Sequence, residues 1–153
     1  MNHYTQILNY IKTLSEQDEF VNTTTQGDTS DYDLDKGNIF PLLNIDINNA
    51  GFSNGNTITF NLEVGCCDLR DDNKETNTDK FWLQDNKVDN LNETLATLNK
   101  IWVKMLSDFE NNNIRVDANA ELEQVTNWNK NVVDGWLMTF TIEVPNTTLS
   151  LCQ

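Results

Sequence analysis

Over residues 134–146 the chain reads DGWLMTFTIEVPN, with Trp136, Met138, Phe140, Ile142 and Val144 on one phase and Leu137, Thr139, Thr141 and Glu143 on the other. A period of two marks a strand with one buried face. The same alternation runs through IFPLLNIDI (39–47) and TITFNLEV (57–64), joined through NAGFSNGN. Asn54-Gly55 in that connection is a strong hairpin signal, so the two stretches are expected to pair antiparallel. Pro41 stands at the start of the first, where a missing N–H is tolerated. EFVNTTTQGD (19–28) reads as an edge strand, and ELEQVTNW (121–128) as a less regular strand with a bulge.

Two segments carry helical spacing instead. Tyr4, Ile7, Leu8, Ile11 and Leu14 form a stripe over about Tyr4–Glu16. Val88, Leu91, Leu95, Leu98, Trp102, Met105 and Phe109 recur at steps of three and four, which gives a helix roughly 33 Å long. Asn90, Thr97, Lys100, Lys104 and Ser107 fall opposite that stripe and predict a wet outer face. The long helix is the expected cover for the strands, with Leu95 and Trp102 meeting Trp136 and Phe140 in the core. Polar loops fill 29–38 and 68–86. Helix, strands, long loop, long helix, strands is the order of an α+β layer. The expectation is one domain over 1–153: a single, mostly antiparallel sheet with the N-terminal helix and the long amphipathic helix packed on one face.

Charge narrows the function classes. The chain has 10 Lys and Arg against 24 Asp and Glu, a net charge of -14. Between Lys12 and Lys36 every charged residue is acidic, Asp28, Asp31, Asp33 and Asp35 among them. Such a surface repels phosphates over roughly 8 Å at physiological salt, which excludes sequence-reading of DNA or RNA. The acidity serves solubility, or it lines a conduit that a polyanion must pass without sticking. In the second case Asp28, Asp31, Asp33, Asp35, Glu63 and Glu143 are the candidate wall residues. No apolar run approaches the roughly 18 residues needed to span a bilayer, and MNHYTQILNYIK lacks the pattern of a signal peptide. A soluble protein that stays in the compartment that made it, without membrane contact, is expected.

Candidate chemistry is sparse. Cys66 and Cys67 are neighbours on a strand, where successive side chains face opposite ways, so a bridge between them is geometrically poor. With Cys152 they make three cysteines, an odd number that points to reduced structural thiols in a reducing cytoplasm. His3 is the only histidine, too little for a zinc site or a Cys–His nucleophile. Asp31, Asp33 and Asp35 have the opening spacing of a calcium loop, but glycine falls at 37 instead of 36 and Leu42 stands where the bidentate Glu belongs. Asp71, Asp72, Glu75 and Asp79 read as a solvated loop. The six glycines are scattered singly, so no phosphate cradle exists. Phe81, Trp82 and Trp128 are more often packing residues than ligand stackers. The expectation is therefore no catalytic residue, no metal and no cofactor.

The combination of an N-terminal helix, the FPLLNIDI strand paired with TITFNLEVGCCD, the DDNKETNTDK excursion, a long amphipathic helix and the closing DGWLMTFTIEVPNTTLSLCQ resembles the tail terminator and head–tail completion (neck) proteins of tailed bacteriophages. It spans nearly the whole chain and rests on element order and the closing hairpin. The Asn-rich, Lys-poor style is most similar to proteins of the crAss-like phages of Bacteroides-like hosts. The resemblance implies a structural virion protein, not an enzyme. It would form a homo-oligomeric ring, commonly six-fold, that joins or terminates the tail tube. Its partners would be other neck and tail proteins, and DNA would be passing cargo. Assembly in the host bacterial cytoplasm and a final place in the virion are implied too. The alternative is a small acidic cytoplasmic regulator, or an inhibitor that mimics DNA.

Overall fold

In the computed structural model, described here for residues 3–28, 39–70, 86–110, 114–117, 119–128 and 131–146, eight elements follow one another. They are α1 (His3–Glu16), β1 (Thr23–Gln26), β2 (Leu42–Ser53), β3 (Thr57–Leu69), α2 (Lys87–Glu110), β4 (Arg115–Val116), β5 (Glu121–Trp128) and β6 (Asn131–Pro145). The strands form one sheet in the order β1-β2-β3-β6, with β4 and β5 both paired to β6. The α+β class and the two helices agree with the sequence pattern. The sheet, however, is mixed, where a mostly antiparallel one was expected: β1 runs parallel to β2, and the other pairings are antiparallel. Residues 27–41 separate β1 from β2, a connection long enough for the crossover a parallel pair needs. Sequence alternation carries no sign of strand direction.

The expected hairpin forms through Asn54 (φ 50°) and Gly55 (φ 70°), a left-handed pair that Asn and Gly adopt most cheaply. The expected irregularity in β5 lies between Val125 and Asn127. Register puts Ile45, Val64, Met138 and Leu122 in one row across the sheet, with Leu62–Phe140 and Phe60–Ile142 in the next rows along β3 and β6. This face packs on α1 and α2 through Ile7, Ile11, Leu98, Ile101, Met105 and Phe109. Each such side chain contributes about 1.5–3 kcal/mol when fully buried. Trp102 meets Phe140 edge to face, with ring centroids 5.3 Å apart. Trp136 is partly buried, and its indole N–H donates to the Leu91 carbonyl at 3.0 Å, which ties α2 to β6.

The long helix is turned relative to its apolar stripe. Leu95, expected in the core, is 37% exposed, and Val88 is exposed as well. Asn90 and Thr97, expected on the wet face, are buried together with Thr94. Over its first half the buried stripe therefore runs about one residue ahead of the apolar one, and the two coincide again at Met105 and Phe109. The cause lies in the sheet end beneath α2. The Leu69 carbonyl, at the last residue of β3, accepts from Asn90 Nδ2 at 2.9 Å and Asn86 Nδ2 at 3.3 Å. Thr94 Oγ1 donates to the Asn90 carbonyl at 2.7 Å. Buried polar groups must be paired, and this pairing outweighs burial of Leu95.

Candidate functional site

Both helices lie on one side of the sheet, and among the described residues no helix covers the other side. Only a small apolar cluster interrupts it, where Phe40, Leu42, Cys67 and Val133 pack with Leu69 and Val125 at one end. Strand register defines the rest. Asp46, Glu63, Thr139 and Glu121 stand side by side across β2, β3, β6 and β5. The neighbouring row is Asn44, Gly65, Leu137 and Glu123, and two rows along from Thr139 Glu143 sits beside Arg115. Asp46 and Glu63 are direct cross-strand neighbours of like charge, an arrangement that costs about 0.2–1 kcal/mol against a neutral pair. Nothing in the fold requires it, because Thr59 and Thr139 show that neutral β-formers suit this face.

Basic residues are spent elsewhere. Among the described residues, the ion pairs are Lys12–Glu16 (3.6 Å), Lys100–Asp18 (3.5 Å), Lys104–Asp108 (2.8 Å) and Arg70–Asp134 (2.6 Å). The first and third lie within the helices, the second ties α2 to Asp18 just past α1, and Asp134 shares the phase of Trp136 and Met138 on the helix-bearing side. Tyr10 also donates to Asp108, at 2.6 Å. The Lys104 ammonium and then the Tyr10 hydroxyl hold Asp108 below the usual carboxylate range, while burial and the same carboxylate push the Tyr10 hydroxyl up. Among the described residues, Asp46, Glu63, Glu121, Glu123 and Glu143 thus share this face with the single cation Arg115.

A groove of about 230 Å³ runs over this face beside β1. Gly65 leaves its floor without a side chain, Cys67 and Leu137 line it, and Asp28, Asp46 and Glu63 rim it. Asn44 is fixed at its edge: its Oδ1 accepts from Thr25 Oγ1 at 2.8 Å and its Nδ2 donates to the Gly27 carbonyl at 3.0 Å. The Cys67 thiol is not an activated nucleophile there, since burial above all pushes its pKa up and keeps it protonated. Cys66, behind it in the main core, is shifted the same way and for the same first reason. Both thiols are free. Among the described residues no group of three His, Cys, Asp or Glu side chains is placed to hold a metal ion, and no helix is long and apolar enough to cross a membrane.

Of the candidate wall residues, Glu63 and Glu143 share the open face, four residues apart along the register, and Asp28 rims the groove. Asp31, Asp33 and Asp35 lie outside the described residues, as do Asp71, Asp72, Glu75, Asp79, Phe81, Trp82 and Cys152. Sequence reasoning missed Asp46, Glu121 and Glu123. Their signal was present in the alternation, since Asp46 is out of phase with Ile45 and Ile47, but the partner strands were needed to bring the three carboxylates together. The Arg70–Asp134 pair was missed altogether, its partners being 64 residues apart. The chain matches no family model, and no curated protein is detectably similar to it.

Proposed function

We propose that the chain is a structural subunit of a ring in the neck or tail of a tailed bacteriophage, with the open sheet face turned toward the conduit for DNA. The observation that carries this reading is the separation of charge by layer: basic residues neutralise carboxylates on the helix side, and the opposite face keeps Asp46, Glu63 and Glu121 in one row. A wall of that kind repels phosphates within a Debye length, and the row Asp46, Glu63 and Glu121 itself offers a threaded duplex no cation to bind. Among the described residues β1 and β5 are edge strands, and such edges suit contacts between subunits. The regulator or DNA-mimic reading is disfavoured, because α2 pairs Asp108 with Lys104 instead of presenting a row of free carboxylates.

The test is complementation with a particle in which Asp46, Glu63 and Glu121 are changed to Lys, scoring assembly and DNA ejection separately. Assembly is expected to be intact and ejection slowed, with the delay shrinking as salt rises, because cationic walls bind phosphate through counterion release. Normal ejection from an assembled, charge-reversed particle would leave the acidity with solubility alone. Absence of the protein from purified virions would remove the reading entirely.

A further inference from the structure

The β2–β3 hairpin runs beyond the helices. Asn48 to Asn56 are all exposed, and a side chain added at Gly51 would meet nothing within 4 Å. Phe52 is 81% exposed near the tip, the most exposed large apolar side chain among the described residues. Register places it beside Ile58, on the helix-bearing side of the sheet. β1 covers β2 only as far as Ile45, so the arm also has an unpaired outer edge among the described residues. Exposed apolar side chains scattered singly are ordinary, but one held at the end of a rigid arm with a free edge is placed for contact.

The same side of the sheet has an open apolar groove at its other edge. Leu95, Ala96 and Trp102 of α2 form one wall; Ala120, Leu122 and Met138 form the other. It has a volume of about 400 Å³ and no charged residue in its lining. A cavity of roughly 150 Å³ takes up a benzene ring, so a phenylalanine side chain fits with room to spare. Leu95 and Leu122 are 37% and 45% exposed, and the exposure of Leu95 follows from the turn of α2. The arm cannot fill the groove of its own chain. Phe52 aligns with Ile58 and Val144, and the groove with Met138, six residues or roughly 20 Å along β6 and across three strands.

We infer that Phe52 of one copy seats in the α2–β5 groove of the next copy of this chain. Charge selects a second copy as the occupant. Two chains of net charge -14 repel over most of their surfaces, and contact is least opposed where neither side carries charge. The sixteen residues from Ile47 to Leu62 are the longest uncharged run in the sequence, and the groove is uncharged as well. The arm and the α2–β5 groove stand on different edges of the chain, so a contact between them is head to tail, the type that closes into a ring when the rotation fits. The inference rests on the ring reading and names its joint.

The test uses sedimentation velocity on the full chain and the variants Phe52→Glu and Ala96→Glu, with Leu122→Glu as a second change in the groove. Phe52 and Ala96 are both exposed, and Glu is a good helix former at 96, so circular dichroism is expected to match the native chain. The native chain is expected to assemble, and each variant to self-associate about 30-fold more weakly or worse, as for a hot-spot residue. An equimolar mixture of Phe52→Glu and Ala96→Glu is expected to form dimers and stop there, since one supplies an intact groove and the other an intact arm. A mixture that stays monomeric overturns the pairing, and so does native-like assembly by either variant. Those outcomes leave the ring standing with another joint. A native chain that is monomeric at high concentration removes both the ring and this contact.

Discussion

Replacing Arg70 with Met should damage this fold more than any other surface-accessible change, for a reason that can be worked through from the pair it makes. Arg70 Nε donates to Asp134 Oδ2 at 3.1 Å and Nη2 to Oδ1 at 2.6 Å, a bidentate fork. The Asp134 side chain is 0% exposed and that of Arg70 is 23% exposed. Asp68 is the cross-strand neighbour of Asp134, so the same spot holds a second carboxylate. Removing the guanidinium strands a buried charge, which costs about 3–5 kcal/mol. With a urea dependence of about 2 kcal/mol per molar, the unfolding midpoint should fall by about 2 M. Asp134→Val should cost less, about 1–3 kcal/mol, because the orphaned guanidinium can reach water. The double variant should regain most of the loss, since a buried pair replaced by apolar groups is often near neutral. The assay is a double-mutant cycle by urea unfolding, and a coupling of at least about 3 kcal/mol is expected. Additive costs, or an Arg70→Met variant within about 1 kcal/mol of the native chain, would show that the fork contributes nothing and that the burial argument is wrong.

Two further changes probe the sheet. A Cβ at Gly135 would lie 2.1 Å from the Cys66 carbonyl oxygen and 2.6 Å from Cys67 Cα, both backbone atoms of the paired strand, so Gly135→Ala should cost at least about 3 kcal/mol by urea unfolding. A variant as stable as the native chain would mean that β3 and β6 separate freely at that rung. Burial raises the Asp68 pKa, partly opposed by the Leu69 N–H it accepts at 2.8 Å. The folded chain therefore holds that proton to higher pH than the unfolded one, and the stability lost by ionising it appears as pH rises above the ordinary carboxylate value of about 3.9. Asp68→Asn should accordingly be more stable than the native chain at pH 7 and indistinguishable from it near pH 3, as read from melting curves at both. A gain that persists unchanged at pH 3 would refute the desolvation account.

Local pattern settled most of the elements. A period of two through residues 39–47, 57–64 and 136–144 and a helical period through 4–16 and 88–109 come from the geometry of one strand or one helix. The Asn54-Gly55 turn, the irregularity in β5 and the opposite facing of Cys66 and Cys67 are local in the same way. Trp102 against Phe140 was legible because each lies mid-element on its own apolar stripe. What needed the tertiary structure was every relation between strands and every polar group that packing buries. The parallel direction of β1 depends on how a long connection returns. The turn of α2 that exposes Leu95 and buries Asn90 and Thr94 depends on the Leu69 carbonyl, which belongs to another element. The carboxylate row Asp46–Glu63–Glu121 exists only through register, because acids 17 and 58 residues apart in sequence come to share one row when strands pair. A sequence specifies periodicity residue by residue, whereas electrostatic and hydrogen-bond partners are chosen by the fold, where distance in space replaces distance along the chain.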